Sequence, residues 1–327
     1  MIISRTPLRI SLGGGGTDLP SYYEKNDYGF LIAAAITKYV YIAVHRNFDD
    51  DILLKYSETE KVQSVNDVKH PLLRETMRIS GCDNSVEISS MADIPAGTGL
   101  GSSGAFAVGA LNALNMYQHR NSERAILAAE ACRIEIEVLK EPVGKQDQYI
   151  AAYGGINGFT FRSDGSVLVE NLNLEPSIRT GLEENLLLFY TGVRRSASKI
   201  LATEQENIQH SSGAIKNNLT NTRDIGYQTR EVLLNGNLKH FGELLTEQWN
   251  LKFVRQPSLE HDQINQWIQD GISAGAFGGK LVGAGGGGFL LFYAPNKSKL
   301  RSAMMELGLL EVPFAIDYEG STIIVSR

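Results

Sequence analysis

Apolar and polar positions alternate along Ile2–Leu12 and Thr37–Arg46, the period of half-buried strands, and shorter runs of the same kind occupy Ile52–Tyr56 and Val86–Ser90. Between the last two, Asp67–Ile79 carries helical spacing behind Asn66, a good N-cap. Helical spacing returns over Phe106–Tyr117 and Ser122–Leu139. A shorter helix is predicted at Lys145–Ala152, before strands at Gly158–Phe161 and Val167–Glu170. After a strand-like Leu186–Tyr190 the chain reads helical from Ser196 to about Ile272, with start signals at Ser211, Asn237 and Ser258. Lys280–Val282 and Phe289–Tyr293 read as strands, Lys297–Leu307 as a helix, and the last residues as two more strands. This order is α+β rather than βαβ alternation. A chain of 327 residues exceeds one average domain, so two are expected, 1–180 and 181–327, divided where composition shifts near 175–185.

Three glycine-rich segments interrupt the pattern, at Gly13–Gly16, Gly97–Gly104 and Gly283–Gly288. In the second, Pro95-Ala-Gly-Thr-Gly-Leu-Gly-Ser-Ser-Gly104 runs straight into an apolar helix. Gly97, Gly99, Gly101 and Gly104 permit close backbone approach, Ser102 and Ser103 stand where N-caps are expected, and free N–H groups would face a bound phosphate. Gly99–Gly104 also matches the dinucleotide fingerprint G-x-G-x-x-G. That reading needs a strand running directly into the first glycine and an acidic ribose ligand after a second strand, and neither is found. No Gly-Lys-Ser/Thr closes the segment as a P-loop. A flexible loop capping a helix is the plain alternative.

The first segment carries a strand through Arg9 into Gly13–Gly16 and ends on Thr17 and Asp18. Arg9 and Asp18 are either a surface charge and a helix cap, or a cation for transferring phosphoryl oxygens and a carboxylate for sugar hydroxyls. Asp147, near a helix start, either offsets the helix dipole or orients the hydroxyl that attacks phosphorus. Asp147, Glu135 and a cradle serine would supply oxygen ligands for Mg²⁺. The third segment, Lys280–Phe289, reads as strand, glycine turn, strand. It holds more glycine than a hairpin requires, which implies close contact with a ligand or another loop.

With 43% hydrophobic and 21% charged residues the composition is that of an ordinary globular protein. The net charge of -6 and pI near 5.6 argue against a general nucleic-acid or anionic-membrane surface. Cys82 and Cys132 form neither a zinc-finger spacing nor a disulfide framework and are expected to be reduced core residues. Met1–Arg5 lacks the apolar region of a signal peptide, and the longest apolar stretch, Phe30–Ile36, falls far short of a bilayer span; a cytoplasmic protein is expected.

In this order and at these separations, the three segments resemble the signature motifs of the GHMP kinases. The first resembles P-x-R-x-N-L-x-G-x-x-T-D through Pro7, Arg9, Leu12, Gly14, Thr17 and Asp18. The second resembles P-x-G-x-G-L-G-S-S through Pro95, Gly97, Gly99, Leu100, Gly101, Ser102 and Ser103, and the third K-x-x-G-A-G-x-G-G through Lys280–Gly288. Ser11 replaces the family's common Asn, and Gly15-Gly16 replaces the Glu-His of galactokinases. The resemblance implies an N-terminal domain like domain 2 of ribosomal protein S5, a ferredoxin-like C-terminal domain, and ATP bound on the second motif. It further implies Mg²⁺ on Ser103 and Glu135, Asp147 at the acceptor hydroxyl, Arg9 on the transferring phosphoryl group, and Asp18 with its glycine turn at the sugar.

Within the family, Thr6–Asp18, Glu141–Tyr149 and Tyr153-Gly-Gly155 are similar to kinases of heptose 7-phosphate, which act at C1 of a sugar already bearing a phosphate. Fucose kinase domains share much of the first motif. A small-molecule sugar phosphate is the expected partner, and whether two copies pair as a homodimer stays open. A second phosphate site is then needed. Thr191–Ser198 offers Arg194, Arg195 and Ser196 at a helix start, or merely a solvated arginine pair. Gly285 and Gly286 of the third motif are expected near the substrate. A catalytically silent sensor of the same fold is the remaining alternative.

Overall fold

The computed structural model describes residues 1–193, 197–210, 213–256, 259–283, 285 and 287–326. Its larger sheet is built from β1 (Ile2–Gly13), β2 (Tyr28–Arg46), β3 (Ile52–Lys55), β4 (Thr59–Val62), β5 (Val86–Ala92), β6 (Ile156–Arg162), β7 (Val167–Asn171) and the C-terminal β12 (Thr322–Ser326). The main order is β12-β1-β2-β5-β3-β4, with β6 between β2 and β7. β2 is a single long strand where alternation predicts only its second half. Phe30–Ile36 is buried on both faces and reads as a continuous apolar run, which hides its period. Its first half pairs with β6 and its second with β5, all antiparallel.

Helices α1 (Pro20–Tyr23), α2 (Pro71–Ser80), α3 (Ser102–Tyr117), α4 (Arg124–Cys132) and α5 (Gln146–Tyr153) accompany this sheet. α3 is buried from Gly104 to Asn115 except at Phe106, and its Gly109 carbonyl accepts from Ser4 Oγ at 2.8 Å. Instead of one helix behind Asn66, a 3₁₀ turn at Val65–Asp67 is capped by Ser64, and α2 starts only at Pro71. The proline holds His70 extended and fills the first helical position, where its missing N–H costs nothing. Past α4 the helix widens into a π-turn over Arg133–Val138.

α6 (Pro176–Asn185) leads into a second sheet of β8 (Leu186–Tyr190), β9 (Gly278–Val282), β10 (Phe289–Tyr293) and β11 (Leu310–Glu311), ordered β11-β8-β10-β9 and antiparallel throughout. Helices α7 (Ala197–His210), α8 (Gly213–Leu234), α9 (Leu238–Arg255), α10 (Leu259–Ser273) and α11 (Lys297–Glu306) complete the chain. α8 ties the two parts together: Tyr227 stacks on Phe30 of β2 at 4.0 Å between ring centroids. β12 returns to pair with β1, so the last strand of the chain completes the first sheet.

Candidate active site

β1 delivers Arg9 into the interior between two bulges, at Pro7/Leu8 and Ser11/Gly13. Arg9 N–H donates to Leu100 O at 2.9 Å, Nη1 to Gly99 O at 2.6 Å, and Nε to Asp147 Oδ1 at 2.7 Å. One buried guanidinium thus holds the second glycine segment and the first turn of α5 in register. Gly104 supports Asp147 from beneath, where a methyl group would come within 2.7 Å of Asp147 Cβ.

The N-cap of α3 is Gly101 at φ 77°, not a serine; Ser102 and Ser103 are its first two residues, and no side chain caps the end. The serine hydroxyls are therefore not spent on the helix, and its first-turn N–H groups have no side-chain cap to compete with an anion. Ser103 Oγ instead donates to Glu135 Oε1, and Gln148 Nε2 donates to Glu135 Oε2 at 2.6 Å. The π-turn places Glu135 inward, almost fully buried. Burial pushes its carboxyl up to about 7 against the opposing hydrogen bonds from Ser103 and Gln148. A serine hydroxyl and a carboxylate suit Mg²⁺, which keeps waters and takes phosphate oxygens for its other positions. Among the described residues no three His, Cys, Asp or Glu side chains cluster into a protein-only metal cage.

Asp18 is buried and accepts from the backbone N–H of Gly16 at 3.1 Å and of Gln146 at 3.2 Å, with the Gln146 amide at 3.3 Å from both oxygens. Burial, with Asp147 nearby, pushes its carboxyl up to about 6. Gly144 makes room for it: a Cβ there would stand 1.9 Å from Asp18 Oδ2. Lys145, next but one to Asp147, turns away. Its ammonium donates to Gly165 O at 2.6 Å and lies over the Tyr23 ring.

These groups meet in one cavity of ≈ 520 Å³. Arg9, Gly15, Gly16, Asp18, Glu135 and Asp147 line it together with Gly97, Gly99, Gly101, Ser102 and Ser103. The third glycine segment backs the second, since a methyl at Gly283 would fall 2.5 Å from Gly99 Cα. Thr17 does not reach the cavity; its hydroxyl is tied to Gly14 O and to the backbone of Phe30. Pro95 is exposed, and Leu100 is in the core. Gly285 is buried against Gln256 and Lys252, while Gly286, Arg194 and Arg195 lie outside the described residues.

Sequence reasoning misses much of the lining. Gln248, Lys252 and Arg255 of α9 stand at helical spacing on one face, a stripe that reads as an ordinary solvated surface. His70, Pro71, Leu72, Phe106 and Leu139 contribute an apolar recess to the lining, with His70 stacked on Phe106 at 5.1 Å. Burial lowers the His70 pKa, and its Nδ1 accepts from Leu73 N–H.

Two models of one family match the chain, GHMP kinases N terminal domain over residues 66–155 and GHMP kinases C terminal over residues 229–307, together more than half of its length. The chain is a GHMP kinase. The matched regions of this GHMP kinase contain Gly97–Gly104, Glu135 and Asp147 in the first and Lys252, Arg255 and Lys280 in the second. It is 27% identical to D-glycero-alpha-D-manno-heptose 7-phosphate kinase of Campylobacter jejuni over 98% of this chain and 97% of that one. It is 24% identical to galactokinase of Pyrococcus furiosus, covering 88% and 87% of the two. Its fold matches a D-glycero-D-manno-heptose 1-phosphate kinase from Bacteroides thetaiotaomicron with a TM-score of 0.81 over the whole of both chains at 24% identity. The kinase is a phosphotransferase with an alcohol acceptor, a sugar kinase by class, and ATP is its phosphate donor. No helix among the described residues is long and apolar enough to cross a membrane.

Proposed function

We propose that this kinase transfers the γ-phosphoryl group of ATP to the anomeric C1 hydroxyl of D-glycero-D-manno-heptose 7-phosphate, giving the 1,7-bisphosphate. The observation that carries the reading is the Arg9–Asp147 pair, which shares one cavity with the uncapped N-terminus of α3 and with Asp18. The similarity to a heptose 7-phosphate kinase along almost the whole of both chains supports the choice of sugar. Phosphoryl transfer demands alignment and charge neutralisation more than covalent chemistry. Asp147 Oδ1 is engaged by Arg9, and the other carboxylate oxygen orients the C1 hydroxyl and takes its proton late in the step. Arg9 and the helix N-terminus stabilise the charge on the transferring group. Asp18 receives sugar hydroxyls beside Gly15 and Gly16, and the phosphates of ATP lie on Gly97–Gly104. The recess of His70, Leu72, Phe106 and Leu139 receives the base. Mg²⁺, held by Ser103 Oγ and the Glu135 carboxylate, would supply charge neutralisation at the β- and γ-phosphates.

The similarity to a galactokinase supports a second reading, an anomeric kinase of an unphosphorylated sugar. The test is ADP release with MgATP against heptose 7-phosphate, galactose, fucose and mevalonate, with Asp147→Asn as the blank. Turnover confined to heptose 7-phosphate supports the first reading. Turnover on galactose or fucose alone replaces it with the second, and turnover on mevalonate alone defeats both.

A further inference from the structure

The cavity holds two cations that the transfer step leaves unused. Lys280 of β9 is buried and Lys252 of α9 half-buried, and both line the space that also holds Asp18 and Asp147. Lys280 Nζ donates to Gln248 Oε1 at 2.9 Å and Lys252 Nζ to Gly283 O at 2.5 Å, and both acceptors are neutral. Among the described residues neither lysine forms an ion pair. The neighbouring guanidiniums are matched, Arg9 by Asp147 at 2.7 Å and Arg255 by Glu204 at 2.8 Å. Among the described residues each ammonium uses one of its three donors. Ser11, 7% exposed and lining the same cavity, has an Oγ with no hydrogen-bond partner among the described residues. Gly15 keeps the space beside it open, for a Cβ there would lie 2.9 Å from Ser11 Oγ.

Burial of unmatched charge is unfavourable, and it lowers the pKa of Lys252 to about 8 and that of Lys280 well below the usual lysine range, with neighbouring cations adding to both. Proteins keep such groups where a ligand of opposite charge completes them. Two ammonium groups without an ion-pair partner among the described residues suit a dianion, and their remaining donors suit phosphate oxygens. Glu204, Arg255 and Arg9 act on Lys252, and Lys252 and Arg9 act on Lys280, whereas Asp147 and Glu141 act on Glu135. Gln248, which accepts from Lys280, has its amide nitrogen 3.5 Å from where a Cβ on Gly15 would stand, so Lys280 is joined to the Ser11 side of the glycine turn that ends on Asp18.

We propose that Lys252 and Lys280, with Ser11, bind a phosphate monoester dianion carried by the acceptor at the end remote from the hydroxyl that is phosphorylated. This rests on the sugar-phosphate reading above and gives the second phosphate site to Lys252, Lys280 and Ser11 in place of Arg194 and Arg195.

The test compares heptose 7-phosphate with the same heptose lacking its phosphate, in the full chain and in Lys252→Met, Lys280→Met, Lys252→Arg and Arg194→Ala/Arg195→Ala. A thermal melt of each variant serves as folding control. The parent should prefer the phosphate ester by about 100-fold in KM, as charge-assisted hydrogen bonds allow. Either methionine variant should cut that preference to about 10-fold or less by raising KM for the ester, with KM for ATP unchanged within about 3-fold, while Lys252→Arg keeps most of it. Equal losses on both acceptors, a raised KM for ATP, or a preference abolished only by the Arg194→Ala/Arg195→Ala pair overturns the proposal. If the parent phosphorylates no phosphate-bearing sugar, the substrate reading falls separately and inorganic phosphate with MgADP reads the site. A phosphate-dependent rise in Tm that Lys252→Met abolishes upholds it, and no rise in the parent overturns it.

Discussion

Arg9 Nε donates to Asp147 Oδ1 at 2.7 Å across 138 residues of chain, and the same guanidinium reaches Gly99 O at 2.6 Å. A strand, the second glycine segment and the first turn of α5 are thereby fixed by one side chain. Asp147→Asn keeps the shape and removes the proton acceptor, so kcat should fall by about 10²- to 10⁴-fold while ATP binding survives. Turnover and nucleotide titration on the same preparation check this, and near-normal kcat would refute the role.

On the proposed reading Glu135 and Ser103 hold the metal, not the sugar. MgATP at a hundredfold excess over Kd should stabilise the parent over its ligand-free form by about 2 to 3 kcal/mol, and ATP in EDTA should raise Tm much less. Glu135→Gln and Ser103→Ala should erase most of the difference between the two conditions. An undiminished difference in both variants would remove them from the metal site.

Gly144→Ala places a methyl group where Asp18 Oδ2 now lies, 1.9 Å from the new Cβ. Asp18 must swing away from the cavity, so KM for the sugar should rise by about tenfold or more while KM for ATP stays within about threefold. A rise in the ATP KM alone would place Gly144 on the nucleotide side.

Asp18 has its pKa raised to about 6 in the fold from 3.8, chiefly by burial and next by Asp147. The folded protein holds this proton more tightly than the unfolded chain does. Its stabilising contribution is full below about pH 4 and is lost as pH rises through about 6. Asp18→Asn carries no charge at any pH and should gain on the parent by up to about 3 kcal/mol between about pH 4 and about pH 8. Urea unfolding of the ligand-free proteins at both pH values measures this; a difference independent of pH would contradict it.

Arg255 and Glu204 are a buried pair, with side chains 3% and 4% exposed. Arg255→Met leaves Glu204 buried without its partner and should cost about 3 to 5 kcal/mol, much of which Glu204→Leu/Arg255→Met restores. Denaturant midpoints of the single and double variants decide the matter.

The parts of the site that lie in glycine segments were legible, because Gly101 and Gly104 answer to backbone demands that few other residues meet. Their order along the chain carried the family. Serine capping of α3 was a reasonable expectation that failed because Gly101 occupies the cap in a left-handed conformation and frees Ser103 for Glu135. Lys252 and Arg255 were illegible, since cations near a helix C-terminus look the same whether they meet water or a ligand. Only the fold of α9 over the cavity separates the two cases. The apolar recess was hidden for a related reason: His70 and Pro71 read as residues inside a helix, yet they start one.

The most direct measurement of the central claim is a ³¹P NMR spectrum of the kinase incubated with MgATP and D-glycero-D-manno-heptose 7-phosphate. A second phosphate ester coupled to the anomeric proton, absent with Asp147→Asn, is the predicted result; no second ester, or one borne on any carbon other than C1, would contradict the account.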